Sequence, residues 1–203
     1  MNIWRKIQDK LTYVRIIAVG YLMVIVAGTL LLLLPFATAK GKSTDFLTAL
    51  FTATTSTCVT GLVVVDTGTH WSLFGQLVIL LMIQVGGLGF MTMGMLLAMM
   101  LKRKITLKTR GLLQESMNGM QVGGIVRVVR LALSGTAVIE LCGAVLLAIR
   151  FIPIFGLGRG IYYSIFHSVS AFCNAGIDLM GRHYGEYASF VPFEGDILIN
   201  VVI

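Results

Sequence analysis

Long apolar runs alternate with short polar interruptions along this chain. Val14 to Phe36, Leu73 to Leu101 and Ile125 to Ile152 each exceed the roughly 20 residues a helix needs to cross about 30 Å of hydrocarbon. Each run therefore predicts a transmembrane helix. The first lacks a small-residue cleavage pattern and outruns the roughly 7 to 15 residues of a signal-peptide core, so it is expected to be retained. Between the first two runs, Phe46 to about Ser56 form a short apolar segment. It would reach only about 16 Å as a helix, too little to cross. Thr44 or Asp45 is placed to cap it. A second such segment, about Gly160 to Phe172, follows the third run. The final residues, GDILINVVI, open another apolar run that stops at Ile203, so the chain is expected to end inside a helix of a longer protein.

The polar interruptions repeat. Phe51, Cys58 and Gly61 of FTATTSTCVTGLVVVDTG recur 115 residues later as Phe166, Cys173 and Gly176 of FHSVSAFCNAGIDLMGRH. An internal repeat sets the architecture. Its order is span, short helix, loop, span, with an N-terminal segment 1–13, a first unit 14–101, a loop 102–124 and a second unit 125–203 cut within its last helix. A short apolar helix between two spans is most simply re-entrant. The fold class expected is all-α integral membrane, built from repeated span, re-entrant helix and span units. Irregular backbone at membrane depth is tolerated only against protein or a water-filled cavity, so Thr57 to Leu62 are expected to line one. The carbonyl end of the short helix favours a cation there. Gly61 permits backbone angles that turn successive carbonyls toward one axis, which describes an ion-coordinating strand of main-chain oxygens.

Composition narrows the class further. Of 203 residues 57% are hydrophobic and 12% charged, with mean hydropathy +0.90, too apolar for an ordinary soluble domain. A net charge of +7 in a soluble protein would suggest nucleic acid. Here its distribution follows topology instead. Arg5, Lys6, Lys10 and Arg15 precede the first span, and Lys102, Arg103, Lys104, Lys108 and Arg110 follow the second. Only Lys40 and Lys42, offset by Asp45 and Asp66, lie between them. The positive-inside rule puts the N-terminus and the 102–124 loop in the cytoplasm and 37–72 outside, and no nucleic-acid partner is required. Lys104, Lys108 and Arg110 are also candidates for docking a regulator.

Several side chains carry two readings. Thr57 and Thr60 could lend hydroxyls to an ion, but main-chain ligation at Thr60 and Gly61 is preferred, since threonine also bonds locally to backbone. Asn174, matching Val59, is read as a hydrogen-bonding support behind the strand. Gly86, Gly87 and Gly89 in QVGGLG read as close packing, with a hinge as the alternative. Gln84 is expected to find a polar partner on a neighbouring helix. Glu140, mid-span, is by default a transport residue, with a structural partner as the alternative. His167 reads as a hydrogen-bonding residue. Cys58, Cys142 and Cys173 show no CxxC or metal spacing; packing is the default, and a disulfide or metal pairing of Cys58 with Cys173 the alternative.

The segments TSTCVTGL, QVGGLGF and FHSVSAFCNAGIDL resemble the Trk/Ktr/HKT family of potassium transporters, most closely the membrane subunits of bacterial Ktr systems, and the likeness covers the whole chain. The resemblance implies a potassium-channel-like architecture of repeated span, re-entrant pore-helix and span units, four of them around one pore, each filter strand a degenerate channel signature retaining one glycine. It also implies that the helix of Glu140 stands outside the pore-lining shell, which favours a structural partner at the back of a pore loop over ion contact. Gly61 and Gly176 match that glycine, while the flanking VT and NA depart from it. The implied selectivity filter is Val59, Thr60, Gly61 and Leu62 with Asn174, Ala175, Gly176 and Ile177. Potassium would pass along the main-chain carbonyls of Val59, Thr60, Gly61, Asn174, Ala175 and Gly176. Also implied are a multi-pass protein of the bacterial cytoplasmic membrane in contact with lipid, a homodimer, and a cytosolic KtrA-like ring of nucleotide-binding subunits. Sodium would stimulate, and no organic cofactor is expected in this chain. The alternatives are a sodium-permeable HKT/Trk-like transporter and a non-conducting anchor for a soluble regulator. An intramembrane enzyme using Cys58, Cys173, His167 or Glu140 is a further rival, but no catalytic constellation supports it and enzymatic activity is not expected.

The charge distribution yields a topology test. A membrane-impermeant thiol label is expected to reach a cysteine placed at Thr69 from outside the cell, and one placed at Thr109 only after the cytoplasmic face is opened. The reverse pattern would overturn the orientation.

Overall fold

A computed structural model describes residues 13–89, 92 and 125–203. The N-terminal segment 1–12 and the 102–124 loop, with Lys104, Lys108 and Arg110, lie outside the described residues. Among the described residues eight α-helices follow in order: α1 (Tyr13–Leu32), α2 (Phe46–Cys58), α3 (Thr67–His70), α4 (Leu73–Leu88), α5 (Ile125–Phe155), α6 (Leu157–Phe172), α7 (Gly181–Tyr184) and α8 (Ile197–Val202). Two 3-10 turns, Pro35–Ala37 and Val191–Phe193, join them. Among the described residues no strand forms; the only β-type pairing is a bridge between Thr38 and Trp71.

That bridge explains why α2 is re-entrant. Ala39 N–H donates to His70 O and Ser72 N–H to Ala37 O, each at 2.9 Å, and Ser72 Oγ donates to Phe36 O at 2.6 Å. The chain leaving α1 and the chain entering α4 are thereby zipped together. Everything between them must leave and return on one side. Asp45, one of the two expected caps, takes the Leu47 N–H at 3.0 Å and starts α2. His70, packed under this loop, stays neutral more readily than a free imidazole, first because of burial and then because of the Lys40 charge, and its Nε2 lies 2.9 Å from Thr44 Oγ1.

The second unit turns more sharply. Gly156, at φ 82°, separates α5 from α6 by one residue, a conformation glycine adopts without steric cost. The two helices then pack closely along their length. Gly160 permits this: a Cβ there would lie 2.6 Å from Ile152 Cα. Arg150 pairs with Asp196, the residue that caps α8, so the outer ends of α5 and α8 are joined. The units meet where α4 contacts α6 and α3 contacts α7.

Large apolar side chains face outward. Leu73, Leu77 and Leu81 on α4, and Val138, Leu141, Val145 and Ile149 on α5, are exposed at the three- and four-residue spacing of one helix face. An unbroken apolar exterior of this kind suits lipid and would be an interaction patch in water. Val129–Phe155 is by itself long and apolar enough to cross a membrane; Ile17–Leu32 and Leu73–Leu88 are shorter apolar helices.

Within the run Leu73 to Leu101 the structure describes a helix over Leu73–Leu88, capped at Gly89, where φ is +78°; of the residues beyond it only Thr92 is described, and it is helical.

Stability should respect the α5–α6 contact. Gly160→Ala forces a methyl into the Ile152 backbone, and overpacking of this sort costs about 1–3 kcal/mol. Gly158→Ala on the same helix, with nothing within 4 Å of its Cβ position, is expected to be neutral or to raise stability by about 0.4–1 kcal/mol. Thermal unfolding of the full-length protein in detergent distinguishes them.

Candidate ion-filter site

The two short helices end in the same way. After α2, Val59 has φ 57° and ψ 47° and Gly61 has φ 76°; after α6, Asn174 has φ 58° and Gly176 φ 64°. Left-handed and ordinary backbone therefore alternate over residues 59–61 and again over 174–176. For a β-branched residue such as Val59 this is a true outlier, costing of order 1–3 kcal/mol. Asparagine adopts the same region readily. That accounts for Asn174 differently from the sequence reading: its side chain is exposed and carries no hydrogen bond among the described residues, so the position is occupied for its backbone shape.

Hydrogen bonds to the helices fix how these strands face. Thr60 N–H donates to Thr55 O at 3.0 Å, and Leu62 N–H to Thr55 Oγ1 at 3.1 Å. In the second unit Ala175 N–H donates to Ser170 O at 2.7 Å, and Ile177 N–H to Ser170 Oγ at 3.1 Å. A trans peptide points its N–H and its C=O in opposite directions. The carbonyls of Val59, Gly61, Asn174 and Gly176 share peptide units with these donors, so they point away from α2 and α6. Four main-chain oxygens are thus presented on the face opposite the supporting helices.

The two strands are neighbours. A Cβ on Gly61 would sit 2.8 Å from Ala175 O, whereas one on Gly176 would come within 3.7 Å of Gly61 Cα. A side chain is therefore blocked by space and disfavoured by angle at Gly61, and disfavoured by angle alone at Gly176. Outside them, Gly61 and Gly176 share a cavity of about 140 Å³ with Asp66, Asp178, Tyr187 and Ser189. Asp66 is buried; its Oδ1 accepts from Thr69 N–H at 2.8 Å and its Oδ2 from Tyr187 N–H at 3.0 Å. Tyr187 Oη in turn donates to Val64 O at 3.0 Å. Asp66 so ties the loop after the strand of one unit to that of the other, and the absence of a side chain at Gly181 leaves room for its carboxylate.

The remaining expected residues take supporting places. Thr60 Oγ1 is 2.6 Å from Thr55 Oγ1, on the helix side of the strand. Thr57 lies inside α2, buried, with its hydroxyl lacking a partner among the described residues. It does not belong to the irregular strand, because α2 runs to Cys58. Gln84 Nε2 donates to Glu140 Oε1 at 2.8 Å, and Ser168 Oγ to the Glu140 carbonyl at 2.6 Å. Glu140 thus braces α4 and α6 as a structural partner. His167 accepts Leu179 N–H on Nε2 at 3.0 Å, which leaves Nδ1–H to donate to Tyr163 O at 2.7 Å. Gly86 abuts the carbonyl of Thr57, and a Cβ on Gly87 would lie 2.5 Å from Cys173 Sγ. These two glycines are close-packing positions, one against the end of each short helix. All three cysteines are free thiols, and no His, Cys, Asp and Glu cluster suited to a metal occurs among the described residues.

Thr55, Ser170, Asp66 and Tyr187 escaped the sequence reading. For the first pair a signal exists: the 115-residue repeat aligns Thr55 with Ser170 and so keeps a hydroxyl six residues before each glycine. For the second pair no signal exists, since Asp66 and Tyr187 occupy non-equivalent places in the repeat.

Comparison with known proteins bears on this geometry. The family model described as a TrkH cation transport protein matches residues 6–203. The chain is 44% identical over 177 residues to the potassium/sodium uptake protein NtpJ of Enterococcus hirae, covering 87% of this chain and 39% of that protein. It is 43% identical over 189 residues to the Ktr system potassium uptake protein B of Bacillus subtilis, covering 93% of this chain and 41% of the relative. A further similarity, 36% over 190 residues, is to the protein of the same name in Vibrio alginolyticus. The chain spans about two-fifths of the length of these relatives. With the match extending over nearly all of its residues, this all-helical chain belongs to the TrkH family of membrane cation transport proteins.

Proposed function

We propose that this chain supplies two filter strands, Val59 to Leu62 and Asn174 to Ile177, to a pore that takes up potassium across the bacterial cytoplasmic membrane. The observation that carries the reading is the paired backbone: positive φ at Val59 and Gly61 and again at Asn174 and Gly176, with alternate N–H groups bonded back to the short helices. A cation entering such a site exchanges its hydration shell for carbonyl oxygens. The ends of α2 and α6 bring the negative poles of their dipoles to the same place. Asp66 and Asp178 at the outer cavity raise the local concentration of cations.

Potassium is favoured by the names of the Ktr relatives, and the NtpJ name keeps sodium as a second candidate ion. The Ktr naming also supports a pore subunit working with other subunits. In this reading Lys104, Lys108 and Arg110 dock a cytosolic nucleotide-binding, KtrA-like ring, the complete protein is a homodimer, and sodium stimulates uptake. The basic loop would sit in the cytoplasm with the N-terminus.

The test is uptake by the full-length protein in cells lacking other potassium systems, normalised to protein in the membrane, at varied potassium with and without competing sodium. Gly61→Ser and Gly176→Ser should weaken apparent potassium affinity and discrimination against sodium. Strain of about 1–3 kcal/mol at a forced angle corresponds to a loss of roughly 5- to 150-fold. The loss should be larger at Gly61, where the Ala175 carbonyl adds a clash. Gly158→Ala serves as the control. Unchanged affinity and discrimination in both serine variants would overturn the proposal.

A further inference from the structure

The filter reading leaves open what keeps the glycine carbonyls aimed. Glycine is the residue least able to hold its own peptide plane. Each glycine sits between two N–H groups gripped by one residue of the adjoining helix. Thr55 takes Thr60 N–H on its carbonyl and Leu62 N–H on its hydroxyl; Ser170 takes Ala175 N–H and Ile177 N–H in the same manner. Both hydroxyl-bearing residues are buried at 3% exposure. The carbonyl grip belongs to the main chain and is independent of residue type. The hydroxyl grip is not, and it holds the peptide unit that contains the glycine carbonyl.

We propose that Thr55 and Ser170 are positioning residues for ion selection: their hydroxyls hold the Gly61–Leu62 and Gly176–Ile177 peptides so that both glycine carbonyls stay turned away from the helices. This rests on the filter reading and adds the element that sets its precision. Without the hydroxyl, a buried N–H loses its acceptor, and the peptide unit gains by rotating to find another, carrying the glycine carbonyl out of line. The two grips differ in their second bond. Ser170 Oγ also donates to Ile177 O at 2.7 Å, closing a two-bond ring on one residue, whereas Thr55 Oγ1 is hydrogen-bonded to Thr60 Oγ1 at 2.6 Å. Thr60 therefore supports the first grip and has no counterpart in the second, where Ala175 stands.

The experiment compares hydroxyl-removing with hydroxyl-keeping variants of the full-length protein: Thr55→Val against Thr55→Ser, and Ser170→Ala against Ser170→Thr. The readout is the ratio of apparent potassium to sodium affinity in uptake, per protein in the membrane. A second measurement on purified protein follows the shift of unfolding temperature with potassium compared with sodium, which reports ion binding without transport. Thr55→Val and Ser170→Ala should lower discrimination by roughly 5- to 30-fold, the factor that goes with losing one buried hydrogen bond. Thr55→Ser and Ser170→Thr should keep it, and Thr60→Val should produce a smaller loss. Normal discrimination in Thr55→Val and Ser170→Ala while Gly61→Ser loses it would overturn the positioning role and leave the filter reading standing. Equal losses in the hydroxyl-keeping variants would also overturn it, because side-chain volume would then be the cause. Normal discrimination in the glycine variants as well would remove both readings together.

Discussion

Backbone polar groups at membrane depth have no water to turn to, and leaving one unbonded costs several kcal/mol. This constraint governs the molecule. A full helix meets it automatically. Among the described residues a short helix gives way to an irregular strand after Cys58 and again after Phe172, and at both places alternate N–H groups of the strand are taken up by Thr55 and Ser170. In the second unit His167 adds a third acceptor for Leu179 N–H. Each irregular strand is thus bonded along one edge only. The unused edge carries the Val59, Gly61, Asn174 and Gly176 carbonyls.

The two units are alike in backbone and unlike in detail. Matching residues share their angles, yet Phe166 is fully buried while Phe51 is 38% exposed. Gly61 is hemmed by Ala175 O, and Gly176 is not. The strained Val59 faces a relaxed Asn174. A duplicated architecture does not oblige the copies to bear equal load, and the first strand is the more tightly specified of the two.

Most of the architecture was legible because it rests on local and periodic signals. Apolar runs located α1, α4 and α5, Asp45 marked the start of α2, and the 115-residue repeat paired the loops. The sequence reading stopped short where three-dimensional neighbours decide. Asn174 was taken for a side-chain support because asparagine's tolerance of left-handed backbone is invisible until the angle is known. The Gln84–Glu140 contact was expressible only as an expected partner, since the two residues are 56 positions apart. Gly86 and Gly87 illustrate the same limit. Their packing role was readable, but not that each abuts a different short helix.

The Asp66–Tyr187 bond joins positions that are not counterparts: the repeat would pair Asp66 with Gly181, and Tyr187 with Ser72, whose hydroxyl instead donates to Phe36 O. Both residues lie in the stretch that follows the irregular strand of their own unit, so corresponding loops meet through non-corresponding positions. A two-fold relation between the units would call for the reciprocal bond, from position 181 to position 72, and Gly181 has no carboxylate to make it. The junction is therefore polar: the first unit supplies the acceptors, the Asp66 carboxylate and the Val64 carbonyl, and the second supplies both donors from Tyr187.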